Sequence, residues 1–211
     1  MRIIAGSRRG MRLFSPIGRE TRPITDRVKE SVFNIMMKWD LPADAVVADL
    51  FCGTGSLGLE ALSRGAKWVT FVEQNRKTVE ILDRNITKAG FLQSSRTICY
   101  NAFKIGAAVQ EEMYDLVFVD PPYEMSRNCD IATDIYMLMK KINLQVKEGG
   151  MVLLRTHLRS LVLDLYGRLE RIDKREWGDM KVSFFKKQSQ EKLLEDLDKL
   201  VESDKLIQDS L

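Results

Sequence analysis

The tetrapeptide Asp120-Pro121-Pro122-Tyr123 contains residue types that can hold an amino group in place for chemistry. Its two prolines fix φ and make a stiff turn, which aims the Asp120 carboxylate and the Pro121 carbonyl at one point. Both groups are acceptors, and an exocyclic –NH₂ offers two donors. Holding both hydrogens frees the nitrogen lone pair, while Tyr123 can stack on a base plane, a contact worth about 1–3 kcal/mol. The pattern therefore indicates direct transfer of a group to an amine, driven mainly by proximity and orientation.

A glycine-rich loop with GxGxxG spacing precedes this tetrapeptide, at Gly53, Gly55 and Gly58. Such glycines let the backbone turn sharply and approach a ligand closely. Glu73, at the end of the following predicted strand, can accept hydrogen bonds from ribose hydroxyls. A glycine loop followed by such a carboxylate can bind either NAD or S-adenosylmethionine. The residues predicted to bind the cofactor here are Asp49, Phe51, Gly53, Thr54, Gly55 and Glu73.

The ends of the next two predicted strands favour S-adenosylmethionine over NAD. Asn101-Ala102 follows the third strand, where a polar side chain can hold the adenine amino group. The tetrapeptide at 120–123 follows the fourth strand and fits the [DN]PP[YFW] pattern of amino-methyltransferases, which a dehydrogenase has no reason to carry. We therefore expect S-adenosylmethionine as the cofactor and an amino nitrogen of a nucleic-acid base as the methyl acceptor.

Alternating strand and helix patterns position these residues. Apolar runs predict seven strands, at 45–51, 67–73, 95–101, 114–120, 151–155, 161–170 and 181–187, and periodic segments predict helices at 26–38, 57–64, 76–89 and 129–141. The order predicts an α/β, Rossmann-like class I methyltransferase fold: a mainly parallel seven-stranded sheet with helices on both faces, plus a short N-terminal hairpin. We assign 1–187 to the methyltransferase domain (1–40 basic hairpin and helix, 41–187 catalytic core) and 188–211 to an acidic helical tail.

The cysteines, the single histidine and the hydropathy limit the class of protein. Cys52, Cys99 and Cys129 show no CxxC spacing, and His157 is the only histidine, so a zinc site, a disulfide framework and a Ser-His-Asp triad are all disfavoured. No apolar run approaches the roughly 18 residues of a membrane span, and the N-terminus lacks the apolar core of a signal peptide. We expect a cytoplasmic monomer with no metal and no membrane partner, and Cys52 as a small packing residue.

Charge is distributed unevenly along the chain. Residues 1–30 contain eight Arg and Lys against three acids, whereas 188–211 contain three Lys against seven acids. A basic head that precedes the motifs indicates a polyanionic partner, with Arg8 and Arg9 as candidate RNA contacts.

The combined motifs resemble the bacterial RsmD-type methyltransferases, which methylate guanine N2 in 16S ribosomal RNA. The resemblance covers roughly residues 1–187. The matching stretches are Met1–Gly6, Thr21–Glu30, Asp49–Ala66, Phe71–Glu73, Asp120–Tyr123 and Trp177–Asp179 with the strand that follows.

This resemblance implies a substrate and further site residues. The substrate would be 16S ribosomal RNA in an assembling 30S particle. The segment 21–30 would fold over the cofactor, with Arg22, Thr25 and Arg27 near the methyl donor or the RNA. The chain departs from the family at Asn101, where relatives usually carry Asp, and at Leu154-Arg155, where relatives often carry an acid.

Three alternatives remain open at this point. A DNA adenine-N6 or cytosine-N4 methyltransferase usually has a target-recognition insertion, for which the chain has no room. A protein glutamine methyltransferase generally reads Asn where this chain has Asp120. A non-catalytic RNA-binding protein has no need of Asp120 together with an intact glycine loop.

Overall fold

The computed structural model describes residues 1–16, 24–108, 112–122, 124–126, 128–129, 131 and 133–192. Its centre is an eight-stranded sheet in the order β3-β2-β1-β4-β6-β10-β9-β8. The five strands from β3 to β6 are parallel, and β10, β9 and β8 extend the sheet in antiparallel fashion. The strands are β1 (Val46–Leu50), β2 (Trp68–Glu73), β3 (Ser95–Cys99), β4 (Tyr114–Val119), β6 (Val146–His157), β8 (Leu165–Tyr166), β9 (Leu169–Trp177) and β10 (Met180–Lys187).

Five α-helices accompany the sheet in the described part of the chain, and a separate two-stranded parallel sheet joins β5 (Asn128–Cys129) to β7 (Leu161–Val162). The helices are α1 (Asp26–Met36), α2 (Ser56–Ser63), α3 (Arg76–Ala89), α4 (Ala102–Ile105) and α5 (Asp134–Gln145). None of the helices in the described ranges is long and apolar enough to cross a bilayer.

The predicted α/β class is confirmed, and the structure corrects its details. The sheet has eight strands rather than seven, because the segment predicted as one strand at 161–170 contains a reversal that separates β7, β8 and the start of β9. The helix predicted at 129–141 begins at Asp134, where Thr133 accepts a hydrogen bond from Tyr136 N at 3.2 Å and caps it. The predicted tail at 188–211 lies outside the described residues from 193 onward.

Two apolar layers form the core, one on each face of the sheet. Along β1, Val47 belongs to the layer under α1, α2 and α3, whereas Val46, Ala48 and Leu50 belong to the layer under α4 and α5. This alternation follows from the two-residue period of a strand. Because both faces are covered, β1 is buried at every position.

The N-terminal segment forms the predicted hairpin and packs on the core. Arg2 and Arg12 form an antiparallel bridge, and Ile3 N donates to Met11 O at 2.9 Å. The turn between them contains a short 3₁₀ helix at Gly6–Arg8. Ile3 and Leu13 are buried in the core layer under α1, α2 and α3, so the hairpin is part of the folded body.

Candidate active site

The point where the chain order reverses in the sheet lies between β1 and β4. From β1 the chain moves outward through β2 and β3, then returns to place β4 on the other side of β1. Open α/β sheets bind ligands beyond the carboxyl ends of their strands at such a point. Asp120 N donates to Leu50 O at 3.3 Å across this junction. The glycine loop after β1 and the tetrapeptide after β4 therefore start side by side.

The glycine loop adopts a backbone that glycine favours. Gly53 and Gly55 have φ of 56° and 87°, and Phe51 has φ of 56° although it carries a side chain. A Cβ added at Gly53 would meet no heavy atom within 4 Å, so the loop faces open space there. A non-glycine residue with positive φ costs energy and is typical of functional loops. Cys52 is buried, and burial raises the pKa of its thiol well above the ordinary value, which agrees with a packing role.

Asp49 lies beneath the loop with almost no exposed surface. Its Oδ2 accepts a hydrogen bond from Gly58 N at 2.8 Å. Its Oδ1 is buried without a hydrogen-bond partner among the described residues. The pKa of Asp49 is raised from 3.8 to about 8, chiefly by burial, with a smaller contribution from the nearby Asp120 and Glu73 charges. An unsatisfied acceptor of this kind is costly in a protein interior.

Glu73 ends β2 as predicted, whereas β3 ends at Cys99, two residues before Asn101, so the third strand is shorter than the predicted 95–101. Glu73 accepts hydrogen bonds from Gly53 N at 3.1 Å and from Asn75 N at 2.8 Å. Asn101 caps α4, because its Oδ1 accepts from Phe103 N at 2.8 Å. The rings of Phe51 and Phe103 lie with their centroids 5.0 Å apart. These residues border the same end of the sheet as the glycine loop.

Asp120 and Pro121 directly follow β4, which ends at Val119. Burial raises the pKa of Asp120, while the charge and the hydrogen bond of Arg155 lower it. The Pro122 carbonyl accepts from Met125 N at 2.9 Å and from Ser126 N at 3.2 Å, which closes a turn. Within the described ranges no backbone N–H donates to the Pro121 carbonyl. Tyr123 lies outside the described residues.

The residues predicted to contact RNA are dispersed over the basic head. Arg8 Nε donates to Ala89 O at 2.6 Å, and its guanidinium lies 5.5 Å from the centroid of the Phe91 ring, so this side chain holds the end of α3. Arg9 and Arg27 are exposed. Thr25 is the N-cap of α1, with Oγ1 3.4 Å from Val28 N. Arg22 lies outside the described residues.

Two buried polar residues that connect the head to the glycine loop were not predicted. Glu60 on α2 accepts hydrogen bonds from Ile4 N at 2.7 Å and Ala5 N at 3.0 Å. Asn85 on α3 accepts from Phe14 N at 2.8 Å and donates to Thr54 O at 3.0 Å. A glutamate inside the apolar run Leu57-Gly-Leu-Glu60-Ala-Leu62 was the available signal, because an unpaired acid is rarely buried.

Comparison with known proteins agrees with this geometry. The family model described as "Conserved hypothetical protein 95" matches residues 1–186. YlbH of Bacillus subtilis is 31% identical over 192 residues, covering 89% of this chain and 99% of that protein. Ribosomal RNA small subunit methyltransferase D of Escherichia coli K12 is 41% identical over 127 residues, covering 58% of this chain and 60% of that protein.

The fold comparison extends the match over nearly the whole chain. The solved structure of yhhF from Escherichia coli superposes with a TM-score of 0.74 at 25% identity, covering 90% of this chain and 99% of that one. The family model spans the hairpin as well as the sheet. The chain therefore belongs to the conserved hypothetical protein 95 family, that of the RsmD-type methyltransferases.

Proposed function

We propose that this protein uses S-adenosylmethionine to methylate N2 of a guanine in 16S ribosomal RNA. One observation carries the proposal: Asp120 and Pro121 lie beside the glycine loop, at the point where the sheet order reverses. That arrangement brings two acceptors for an amine next to a nucleotide-type cofactor loop.

The residues around the loop suit S-adenosylmethionine. The methionine part of this cofactor carries an ammonium and a sulfonium, and the buried Asp49 Oδ1 has no hydrogen-bond partner among the described residues. Glu73 can accept from the ribose hydroxyls, since each carboxylate oxygen has two lone pairs. The Asn101 amide and the backbone of Ala102 would border the adenine, with Phe51 on one side. When bound, the cofactor supplies a methyl group on a positively charged sulfur.

The chain's own residues would orient the amine and receive its proton. Asp120 Oδ2 and the Pro121 carbonyl oxygen accept the two hydrogens of N2, which directs the nitrogen lone pair toward the methyl group. Tyr123 would stack on the base. After transfer the methylated nitrogen releases one proton, and Asp120 or water takes it. Most of the rate gain comes from positioning, because no covalent bond to the protein is needed.

The choice of ribosomal RNA rests on the relatives and on charge. The E. coli relative bears the name ribosomal RNA small subunit methyltransferase D. Residues 1–30 have eight Arg and Lys against three acids, and basic surfaces bind nucleic-acid phosphates. Arg9 and Arg27 are the exposed candidates within the described part of this head.

The test is methyl transfer from radiolabelled S-adenosylmethionine to naked 16S RNA, 30S particles, tRNA, duplex DNA and a glutamine peptide. We expect N2-methylguanosine after digestion of the 16S RNA or of RNA from the 30S particles. Asp120→Ala should reduce transfer at least 100-fold, by analogy with the loss of a key polar contact to the reacting group, and should retain cofactor binding in calorimetry. Asp44→Asn, an exposed loop variant, is the control. Label confined to duplex DNA or to the peptide would overturn the proposal.

A further inference from the structure

The guanidinium of Arg155 and the carboxylate of Asp120 form a close ion pair at the centre of the sheet, with Nε 2.5 Å from Oδ1. The exposed fraction is 10% for the Arg155 side chain and 17% for that of Asp120. We propose that Arg155 is a positioning residue for methyl transfer, which keeps Asp120 ionised and presents its Oδ2 to the amine. This inference rests on the proposed function and adds a residue to it.

The strand register brings the two side chains together. Phe118 on β4 pairs with Leu153 on β6, and Val119 pairs with Leu154. Asp120 and Arg155 are the next residues of each strand. Side chains two apart share a face, so both follow Phe118 and Leu153 onto the face covered by α1, α2 and α3. A one-residue shift of either strand would separate the pair.

Arg155 contacts one oxygen of the Asp120 carboxylate, which suits a role in orienting the other oxygen toward the amine. Arg155 engages Oδ1 through Nε, which fixes the rotation of the carboxylate. A planar guanidinium restrains a carboxylate better than an ammonium does. The Oδ2 oxygen and the Pro121 carbonyl then have a fixed relationship, which an amine with two hydrogens requires.

Arg155 is the cation that acts on both buried carboxyls at this site. Its positive charge lowers the pKa of Asp49 on β1, whereas the charges of Asp120 and of Glu73 on β2 raise it. Burial alone would favour the protonated form of Asp120, and Arg155 opposes it. A protonated Asp120 accepts hydrogen bonds poorly and cannot take a proton from the product.

The experiment compares Arg155→Met and Arg155→Lys with the wild type in pH profiles of kcat/KM and in melting temperature. An opposite charge close to an acid shifts its pKa by roughly 1–3 units. We expect the acidic limb of the Arg155→Met profile to move up by at least about 1 pH unit. In Arg155→Lys the limb should stay near that of the wild type, with a lower kcat. Arg168→Met, which removes a different strand-end ion pair with Glu148, should change stability alone.

A second readout separates this inference from the proposed function. Carboxyl ¹³C NMR reports the pKa of Asp120 without any RNA, and it should rise in Arg155→Met and return toward the wild-type value in Arg155→Lys. If the Asp120 pKa is the same in Arg155→Met as in the wild type, Arg155 acts only in strand packing and the inference is overturned. The same holds if the pH profile of Arg155→Met does not differ from that of Arg168→Met. A wild type that methylates no RNA would refute the proposed function, whereas the NMR titration would still decide whether Arg155 controls Asp120.

Discussion

The Lys29 ammonium lies 3.4 Å from the Glu60 carboxylate, and neither side chain has any exposed surface. Lys29 Nζ also donates to Arg2 O at 2.7 Å and to Ser56 Oγ at 3.3 Å. Burial lowers the pKa of Lys29, and the Glu60 charge opposes this. The pair therefore joins α1 and the N-terminal hairpin to the first turn of the helix that follows the glycine loop.

Lys29→Met should strongly destabilise the protein. Removing one partner of a buried ion pair typically costs about 3–5 kcal/mol. Because Arg64 Nε still pairs with the Glu60 carboxylate at 2.8 Å, we expect a loss at the lower end of that range. Urea unfolding followed by circular dichroism measures the free energy. Lys67→Met removes an ion pair whose side chains are more than half exposed, and such a pair contributes about 0–1 kcal/mol. Equal losses in the two variants would contradict a structural role for the buried pair.

Asp49→Asn should stabilise the protein increasingly as pH rises. The folded pKa of Asp49 is raised from 3.8 to about 8, so its stabilising contribution is complete below pH 3.8 and is lost as pH rises toward 8. Each pH unit in that window changes the free energy by about 1.4 kcal/mol. Thermal unfolding at pH 5, 7 and 9 should show a growing gap between variant and wild type. Asp44→Asn, on an exposed loop, is the control variant, and a gap for Asp49→Asn that does not change with pH would disprove the pKa shift.

Gly58→Ala should disrupt the packing of α2 on the sheet. An added Cβ would overlap the ring of Phe71 and lie 2.9 Å from Val69 Cγ1. Overpacking of this kind costs about 1–3 kcal/mol. Phe71→Leu removes the obstructing ring, so the double variant should lose less than the sum of the two single losses. Additive losses in a denaturation cycle would show that the glycine is needed for another reason.

Asn101→Asp should increase affinity for S-adenosylmethionine several-fold if this side chain accepts from the adenine amino group. A charged acceptor makes a stronger hydrogen bond than an amide, and Asp can also cap α4. Asn101→Ala loses both contacts and should bind more weakly. Titration calorimetry measures the three affinities. An affinity unchanged by either substitution would remove Asn101 from the cofactor site.

The sequence was most informative where a motif coincided with a strand end. Glycine spacing and the Pro-Pro pair are local signals, and the strand–helix alternation was enough to place Asp49, Glu73, Asn101 and Asp120 at the same edge of the sheet. The period of α3 even gave its bounds, Arg76–Ala89. In these segments the structure is determined mainly by neighbouring residues in the sequence.

Contacts between distant segments could not be predicted in the same way. The pairing of Asp120 with Arg155 depends on the register between β4 and β6, which the sequence pattern does not specify. The family resemblance indicated an acid near Leu154-Arg155, so a cation facing Asp120 was unexpected. Arg8 was predicted to contact RNA from its charge, and the sequence did not indicate that its Nε also donates to Ala89 O. Charge alone cannot distinguish a ligand contact from a helix cap.

Asn85 links the N-terminal hairpin to the glycine loop through hydrogen bonds. One side chain accepts from Phe14 N and donates to both Phe14 O and Thr54 O. Opening either segment breaks part of the hydrogen bonding of this buried amide, so we expect the two to open together as one cooperative unit. The boundary near residue 40 would then not be a site at which the chain could be cut or its N-terminal segment exchanged. A head from a relative could be grafted onto this core only together with the helices that hold it.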